Sequence, residues 1–178
     1  MKVSLNTPRL ALRPPNVTDA EAISRFLNDI EVSGNLARVP FPYSLEHAEA
    51  WLRTRLPDLP MEATSFIIER PGTGLIGQVG FHPGPAGPVI GYWLGRPYWG
   101  QGIMTEAVTA SLDWFFSTSA SPVVHSGVFH FNSASLAIQT KLGFTQTGRS
   151  TLLCLARGVE VEHIDTALTR SVWKARNT

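Results

Sequence analysis

Gly91–Phe116, with the sequence GYWLGRPYWGQGIMTEAVTASLDWFF, is the segment around which the chain is organised. It predicts a strand, a turn, a glycine-flanked loop and a helix, in that order. Gly100 and Gly102 bracket Gln101 where the helix begins, and without Cβ atoms the backbone N–H groups can approach a ligand closely. The first helical turn adds N–H groups without internal partners and the positive end of the helix dipole. The segment therefore favours an anion, most often a phosphate.

Two familiar phosphate-binding motifs do not fit this loop. A dinucleotide fingerprint needs Gly-x-Gly-x-x-Gly, and Thr105 stands at its third glycine position. A P-loop needs Gly-Lys-Ser/Thr, which the chain lacks. Three predicted strands also precede the loop as a meander, unlike the order of elements in either motif. A bare Gly-x-Gly equally fits a tight strand-to-helix turn, so both interpretations stay open at this point.

Helices are predicted from capping residues and apolar spacing. Thr18 and Glu21 fit a capping box that would open a first helix over about residues 19–30. Residues 31–43 lack periodicity and predict a loop. Ser44 is expected to cap a second helix that runs through Leu56 and is ended by Pro57 and Pro60. Two later helices are predicted over about 103–117 and from 132 or 133 to 142.

Strands are predicted by apolar alternation and by flanking glycines and prolines. They cover residues 9–13, 64–69, 75–81, 89–94 and 123–131, and two more lie between 145 and 173 around Arg157-Gly158. Gly143 is expected in the left-handed region at the end of the last predicted helix, with Phe144 as its apolar partner. The order β-α-α-β-β-β-α-β-α-β-β predicts an α/β domain with antiparallel hairpins and one β-α-β crossover around the glycine loop.

Composition restricts the class of protein. A chain of 178 residues suits one domain over 1–178. The net charge of +1 and the scattered basic residues give no indication of nucleic acid binding. Cys154 is the only cysteine, so an internal disulfide is excluded and no metal site is expected. Without an apolar signal region or a run of ~20 apolar residues, we expect no membrane association and a cytoplasmic location.

Five motifs in order carry a family resemblance. They are 90–94 (IGYWL), 98–102 (YWGQG), 105–107 (TEA), 132–135 (NSAS) and 141–144 (KLGF). Together they resemble the GNAT superfamily of acetyltransferases, and the opening TPRLALR at 7–13 resembles the branch of the RimJ and RimL ribosomal-protein N-terminal acetyltransferases. The resemblance covers about 7–173. It implies a mixed, mainly antiparallel central sheet with a β-α-β acyl-CoA-binding crossover and about four main helices.

The resemblance also implies where acetyl-CoA binds. Trp99 and Gly102 match the acyl-CoA motif of this branch, whereas Met104 stands where a small residue is usual. Its side chain must then pack into the core or crowd the cofactor. Backbone N–H groups would hold the pyrophosphate, from Gly100, Gln101, Gly102, Ile103, Met104 and Thr105. The exposed backbone edge at Trp93 and Leu94 would pair with the pantetheine arm, where two neighbouring strands splay apart.

Asn132 and Ser135 have two interpretations. From sequence alone, Asn132 caps a helix and Ser135 is an ordinary first-turn serine. The resemblance implies instead that the Asn132 side chain contacts the pantetheine arm. It also implies that the Ser135 hydroxyl lies near the CoA sulfur as general acid for the leaving thiolate, a role that Tyr fills in many relatives.

The reaction implied is direct attack of an amine on the thioester within a ternary complex. It needs a hydrogen bond to the oxyanion, expected from a backbone N–H of the strand before the glycine loop, and a proton acceptor. Relatives often have Glu where this chain has Val89. His82 is the predicted base, because a free imidazole has a suitable pKa; Glu69, Glu106 and a water chain are alternatives. The histidines at 125, 130 and 163, and Cys154, are expected to be structural.

Three functions follow as hypotheses. The first is an N-acetyltransferase that uses acetyl-CoA and acts on a protein N-terminus or a small-molecule amine. The second, prompted by Val89 and Met104, is a catalytically weak or inactive acyl-CoA-binding module. The third, a nucleotide-binding domain, depends on the glycine loop alone. A monomer and a homodimer are both compatible with the sequence.

Overall fold

The computed structural model describes residues 3–55 and 63–176. Its eight strands are β1 (Leu5–Asn6), β2 (Ala11–Arg13), β3 (Ser65–Arg70), β4 (Gly74–Gly84), β5 (Gly87–Leu94), β6 (Val123–Phe129), β7 (Thr145–Cys154) and β8 (Val159–Thr169). Its α-helices are α1 (Ala20–Leu27), α2 (Ile30–Ser33), α3 (Leu45–Arg53), α4 (Ile103–Thr118), α5 (Ser133–Leu142) and α6 (Arg170–Arg176).

The strands form one mixed sheet in the order β1-β2-β3-β4-β5-β6-β8-β7. Every neighbouring pair is antiparallel except β5 and β6, which are parallel and are joined by α4. The predicted mainly antiparallel sheet with a single β-α-β crossover is therefore confirmed. Six α-helices are present among the described residues instead of about four, since α2 and α6 were not expected.

The predicted capping box at Thr18 and Glu21 is wrong. Asn16 is the cap: its Oδ1 accepts from the Thr18 N–H, and the Asp19 carboxylate accepts from the Asn16 N–H at 2.7 Å. Asp19 is held there because Arg13 donates to both of its oxygens. The first helix also ends at Leu27 instead of running to residue 30.

The second predicted helix begins as expected. The Ser44 hydroxyl accepts from the His47 N–H and opens α3. The helix ends at Arg53, earlier than the predicted Leu56, with Thr54 as its C-cap and the Thr54 hydroxyl donating to the Trp51 carbonyl at 2.6 Å. Leu56, Pro57 and Pro60 themselves lie outside the described residues. Residues 31–43 are irregular only in part, because Asp29 caps the four-residue helix α2 by accepting from the Glu31 N–H.

Helices cover both faces of the sheet. Phe66 and Ile68 of β3 join a buried cluster with α4 and α6, whereas Ile67 points the other way and packs with α1 and α3. A smaller buried cluster contains Cys154, whose thiol donates to the Gly34 carbonyl at 3.6 Å. No helix in the described part of the chain is long and apolar enough to cross a membrane.

Candidate functional site

The parallel strands β5 and β6 diverge. They share a single registered pair, Val89 with His125, before the gap between them opens. On its other side β5 is bonded to β4, and the Gly95 N–H donates to the Ile76 carbonyl. Because backbone bonding alternates along an antiparallel strand, the N–H and C=O of Tyr92 face the gap with β6. The gap thus exposes a row of backbone groups that an extended ligand can pair with.

Buried side chains bridge the narrow end of this gap. The Ser126 hydroxyl donates to the Ile90 carbonyl at 3.0 Å, and the Gln139 amide donates to the Ser126 oxygen at 3.0 Å. The Thr166 hydroxyl donates to Gln139 Oε1 at 2.7 Å. Ser126, Gln139 and Thr166 are all buried. Side-chain bonds here replace the backbone ladder that diverging strands cannot form, and no buried side-chain nitrogen or oxygen in the described part of the chain lacks a hydrogen-bond partner.

The glycine loop lies at the wide end of the gap. Gly100 and Gly102 have φ angles of 72° and 73°, the left-handed region that favours glycine. No atom lies within 4 Å of the position that a Cβ of Gly100 would take, so the loop surface there is open. The loop leads into the 16-residue helix α4, whose N-terminal end has no side-chain cap and whose first N–H groups are therefore suited to an anion.

The N-terminal segment clamps this loop. Arg9 donates to the Gln101 carbonyl at 2.9 Å and to the Glu106 carboxylate at 2.6 Å, and the Thr7 hydroxyl donates to Glu106 at 2.5 Å. Burial alone would raise the pKa of Glu106, but the bonds from Thr7 and Arg9 lower it. The sequence alternative in which Glu106 acts as a base is therefore weakened, because its carboxylate is engaged in holding Arg9.

Met104 lies in the core. It is 6% exposed, within the buried cluster that α4 forms on the sheet. Of the two outcomes left open for this residue, packing is the one observed, although Met104 is also one of the residues that line the cleft. The Trp99 indole N–H donates to the Leu94 carbonyl at 2.7 Å. That carbonyl is thus already bonded, which leaves the Tyr92 backbone as the better edge for a ligand.

Asn132 and Ser135 lie at the start of α5 and line the cleft at the gap. Asn132 Oδ1 accepts from the Ser135 N–H at 3.1 Å, so the capping interpretation is observed. The Ser135 hydroxyl lies 2.9 Å from the Tyr92 hydroxyl, an interaction that the sequence analysis missed. Burial raises the pKa of Tyr92, although its bond to Ser135 opposes the shift, so the phenol stays protonated at neutral pH. The strand alternation around residue 92 gave no signal for a partner 43 residues away.

A cleft of about 1470 Å³ joins these features. The residues assigned from the sequence to the cofactor, together with His82 and Ser135, all line it, whereas the alternative base Glu106 does not. Glu69 lies outside its wall and is paired with Arg13 at 2.7 Å. Within residues 3–55 and 63–176, no three His, Cys, Asp or Glu side chains converge on a metal position.

Two histidine rings lie next to glycines on opposite sides of the gap: His82 next to Gly91, and His163 next to Gly127. A Cβ on Gly91 of β5 would lie 4.0 Å from His82 Cε1, and a Cβ on Gly127 of β6 would lie 2.1 Å from His163 Cε1. Gly91 and Gly127 are each two residues beyond the registered Val89–His125 pair, so they lie level across the gap. Both imidazoles therefore lie near the same level of the gap, one beside β5 and one beside β6.

The surroundings of the two imidazoles differ. Burial, together with the nearby charges of Arg38 and Arg55, lowers the pKa of His82 to about 4. An Arg38 N–H meets His82 Nε2 at 2.5 Å. His163 Nδ1 is instead 2.8 Å from Asp165 Oδ1, which also accepts from the Ser150 hydroxyl. The base function of His82 stays a prediction, and the low pKa of the ring weakens it, because a neutral imidazole with so low a pKa is a weak proton acceptor.

Comparison with known proteins gives a consistent family. The family model for an acetyltransferase (GNAT) domain matches residues 9–145. An uncharacterized N-acetyltransferase, p20 of Bacillus licheniformis, is 31% identical over 82% of this chain and 84% of its own length. A RimL ribosomal L7/L12 α-N-protein acetyltransferase in complex with coenzyme A superposes with a TM-score of 0.80 at 20% identity, covering 94% and 98% of the two chains. The ribosomal-protein-S5-alanine acetyltransferase of Vibrio fischeri superposes with a TM-score of 0.78 at 21% identity, covering 96% and 98%.

Replacing Gln139 should show how much the side-chain bridge contributes to stability. Gln139→Met keeps the length of the side chain but leaves Ser126 and Thr166 without their buried partner. We expect the free energy of unfolding in urea to fall by about 2 kcal/mol. The matched change Gln146→Met, at an exposed position of β7, should alter it by less than about 0.5 kcal/mol. Equal unfolding curves for the two variants would show that the bridge is dispensable.

Proposed function

Because the chain belongs to the GNAT acetyltransferase family, and so is an acyltransferase, we propose that it transfers the acetyl group of acetyl-CoA to a primary amine by direct attack in a ternary complex. The observation that carries the proposal is the gap between β5 and β6. It has the glycine loop and the start of α4 at its wide end, the Tyr92–Ser135 pair inside it and two imidazoles beside it.

In this proposal the cofactor enters the gap with its pyrophosphate on the glycine loop. The N–H groups from Gly100 to Thr105 and the start of α4 bind the phosphates, and the open surface at Gly100 leaves room for them. The pantetheine arm then pairs with the β5 edge that faces the gap, mainly at Tyr92. Asn132 contributes its side-chain amide at the far wall.

The thioester lies beside Tyr92 and Ser135. A backbone N–H on the β5 edge donates to the oxyanion that forms when the amine attacks. The Ser135 hydroxyl donates to the departing thiolate, and the protonated Tyr92 hydroxyl donates to Ser135 in turn. This pair deepens the role predicted for Ser135, because Tyr92 adds a phenol, the group that many relatives use in this role, 2.9 Å from the serine hydroxyl.

We assign the proton acceptor to His163 in place of the sequence-predicted His82. Asp165 binds Nδ1 and so favours the tautomer in which Nε2 carries the lone pair. His82 cannot offer Nε2 in the same way, because Arg38 already donates to it. The attacking amine thus enters between the two imidazoles and loses its proton on the β6 side.

The acceptor is a protein N-terminal α-amine or a small-molecule amine. The RimL-like relative acts, by its name, on the α-amine of ribosomal L7/L12. A catalytically weak acyl-CoA-binding module is the second candidate, favoured by Val89, which puts no carboxylate where relatives often have Glu. Tight acetyl-CoA binding without thiol release on a broad amine panel would select the module.

Acetyl-CoA binding should depend on the glycine loop. Gly102→Asp places a carboxylate against the pyrophosphate, so we expect affinity measured by calorimetry to fall at least about 10-fold. Gly158→Asp is the matched control, because Gly158 has a similar φ of 66° and lies in the turn between β7 and β8. Both variants carry the same backbone strain. Equal affinities for acetyl-CoA would remove the loop from the cofactor site.

The Tyr92–Ser135 pair should act on turnover and not on cofactor binding. On the best amine of the panel, we expect Ser135→Ala to lower kcat about 100-fold, with a smaller loss for Tyr92→Phe. Acetyl-CoA affinity should stay close to that of the unmodified protein. Ser111→Ala, which removes a buried hydroxyl from α4 away from the cleft, serves as control. Unchanged kcat in both test variants would exclude the pair from catalysis.

Substitutions of His163 and His82 should affect different steady-state parameters, kcat for His163 and KM for His82. His163→Gln should lower kcat about 100-fold, as expected for loss of a general base. His82→Gln should mainly raise KM for the amine and leave kcat within about threefold. The exposed His130, which lies outside the cleft, provides the control variant His130→Gln. If His82→Gln lowered kcat strongly and His163→Gln did not, His82 would be the base, as predicted from the sequence.

A further inference from the structure

Three basic side chains, those of Arg38, Arg55 and His82, lie together on one wall of the cleft, away from the glycine loop. Arg38 follows α2, Arg55 follows α3, and His82 lies on β4. Arg38 Nη2 is 2.5 Å from His82 Nε2, and both arginine charges act on the same imidazole. The three side chains come from segments far apart in the sequence, so only the tertiary fold brings them together.

The arginines are held in place without a carboxylate partner among the described residues. The Arg55 guanidinium lies over the Trp51 ring, 4.9 Å from its centroid, and Nη1 donates to the Ser65 hydroxyl at 3.3 Å. By contrast, Arg13 binds two carboxylates. Burial and the neighbouring charge of Arg38 lower the pKa of Arg55. Two like charges in a cleft repel each other, and an anion bound between them would relieve that repulsion.

The rest of the cleft does not supply that anion. Among the described lining residues, Asp165 is the one carboxylate, and it is bound to His163 and Ser150. The cofactor phosphates are also too distant. His82 pairs with Val89, five residues before Leu94 at the loop end of β5, which corresponds to about 17 Å of strand.

We propose that the amine acceptor carries an anionic group, a carboxylate or a phosphate, near its amine, and that Arg38 and Arg55 bind this group beside His82. Guanidinium groups match both anions through paired N–H donors. Neutral His82 can donate through Nδ1 while it accepts from Arg38. The inference deepens the proposed acetyl transfer and rests on it for the identity of the ligand as acceptor, but anion binding itself can be measured without turnover.

The first test is kinetic, with acceptors matched in pairs. Thiol release is measured at saturating acetyl-CoA for two pairs of acceptors. One pair is a peptide that begins Ala-Asp and a peptide that begins Ala-Asn, and the other is O-phosphoethanolamine and ethanolamine. We expect at least one anionic member to exceed its neutral partner at least about 10-fold in kcat/KM. A higher kcat/KM for the Ala-Asp peptide than for the Ala-Asn peptide would indicate a protein acceptor with an acidic N-terminal segment. A higher kcat/KM for O-phosphoethanolamine than for ethanolamine would indicate a small phosphorylated amine. Equal or better rates for the neutral members would overturn the proposal.

Variants then test whether the preference for anionic acceptors depends on Arg38 and Arg55. Arg55→Gln should cut kcat/KM for the anionic acceptor at least about 10-fold and leave the neutral partner nearly unchanged. Arg38→Gln should act in the same direction, and it keeps the test valid if Arg55→Gln folds poorly. Arg53→Gln is the matched control, because Arg53 is exposed on α3 only two residues away and pairs with Glu49. A preference that survives in both test variants would contradict the assignment.

A second measurement does not depend on activity. In the full-length protein saturated with CoA, inorganic sulfate is titrated while the His82 imidazole resonances are followed by NMR. We expect a saturable shift in the unmodified protein and in Arg53→Gln, and its loss in Arg55→Gln. This result would hold even if no amine were acetylated, so the anion site and the acetyl transfer can fail separately. No sulfate response, or the same response in Arg55→Gln, would refute the site.

Discussion

The divergence of β5 and β6 is the constraint on which the structure depends. Two parallel strands that separate after one registered pair leave backbone donors and acceptors without a ladder. At the narrow end, the Ser126–Gln139–Thr166 chain satisfies them from within the protein. At the wide end, Trp99 bonds the Leu94 carbonyl, and the backbone of Tyr92 is left for a ligand or water. The same opening that would weaken an ordinary sheet is what makes this one able to hold an extended cofactor arm.

Other parts of the fold are arranged around that opening. Helix α4 starts at the wide end because Gly100 and Gly102 allow the left-handed turn that aims its N-terminus into the gap. Arg9 and Thr7 then fix the first turn of α4 through Glu106, which explains why the N-terminal segment belongs to the site although it lies on the edge of the sheet. Helix α5 provides both Gln139, which closes the gap, and Ser135, which enters it.

Local sequence signals predicted much of this arrangement. The glycine loop, the strand before it and the Gly143 helix end depend on neighbours within a few residues, and the structure has all of them. The first helix was less predictable, because Asn16 and Thr18 are both good caps and the choice between them depends on Arg13 holding Asp19. Relations such as Tyr92 with Ser135, or Arg38 with His82, depend on strand register and loop placement, for which no short-range pattern exists.

The buried thiol of Cys154 has a consequence for the acceptor wall. Its sulfur is covered by the Gly34 carbonyl, and Leu155 and Arg157 bind the same stretch through the carbonyls of Ala37 and Gly34. Arg38 follows directly on this stretch. Since the chain has one cysteine and it is fully buried, a thiol reagent reaches it only when that stretch lifts away or the protein unfolds. The molecule therefore contains its own chemical reporter of local opening on the side where an acceptor would enter.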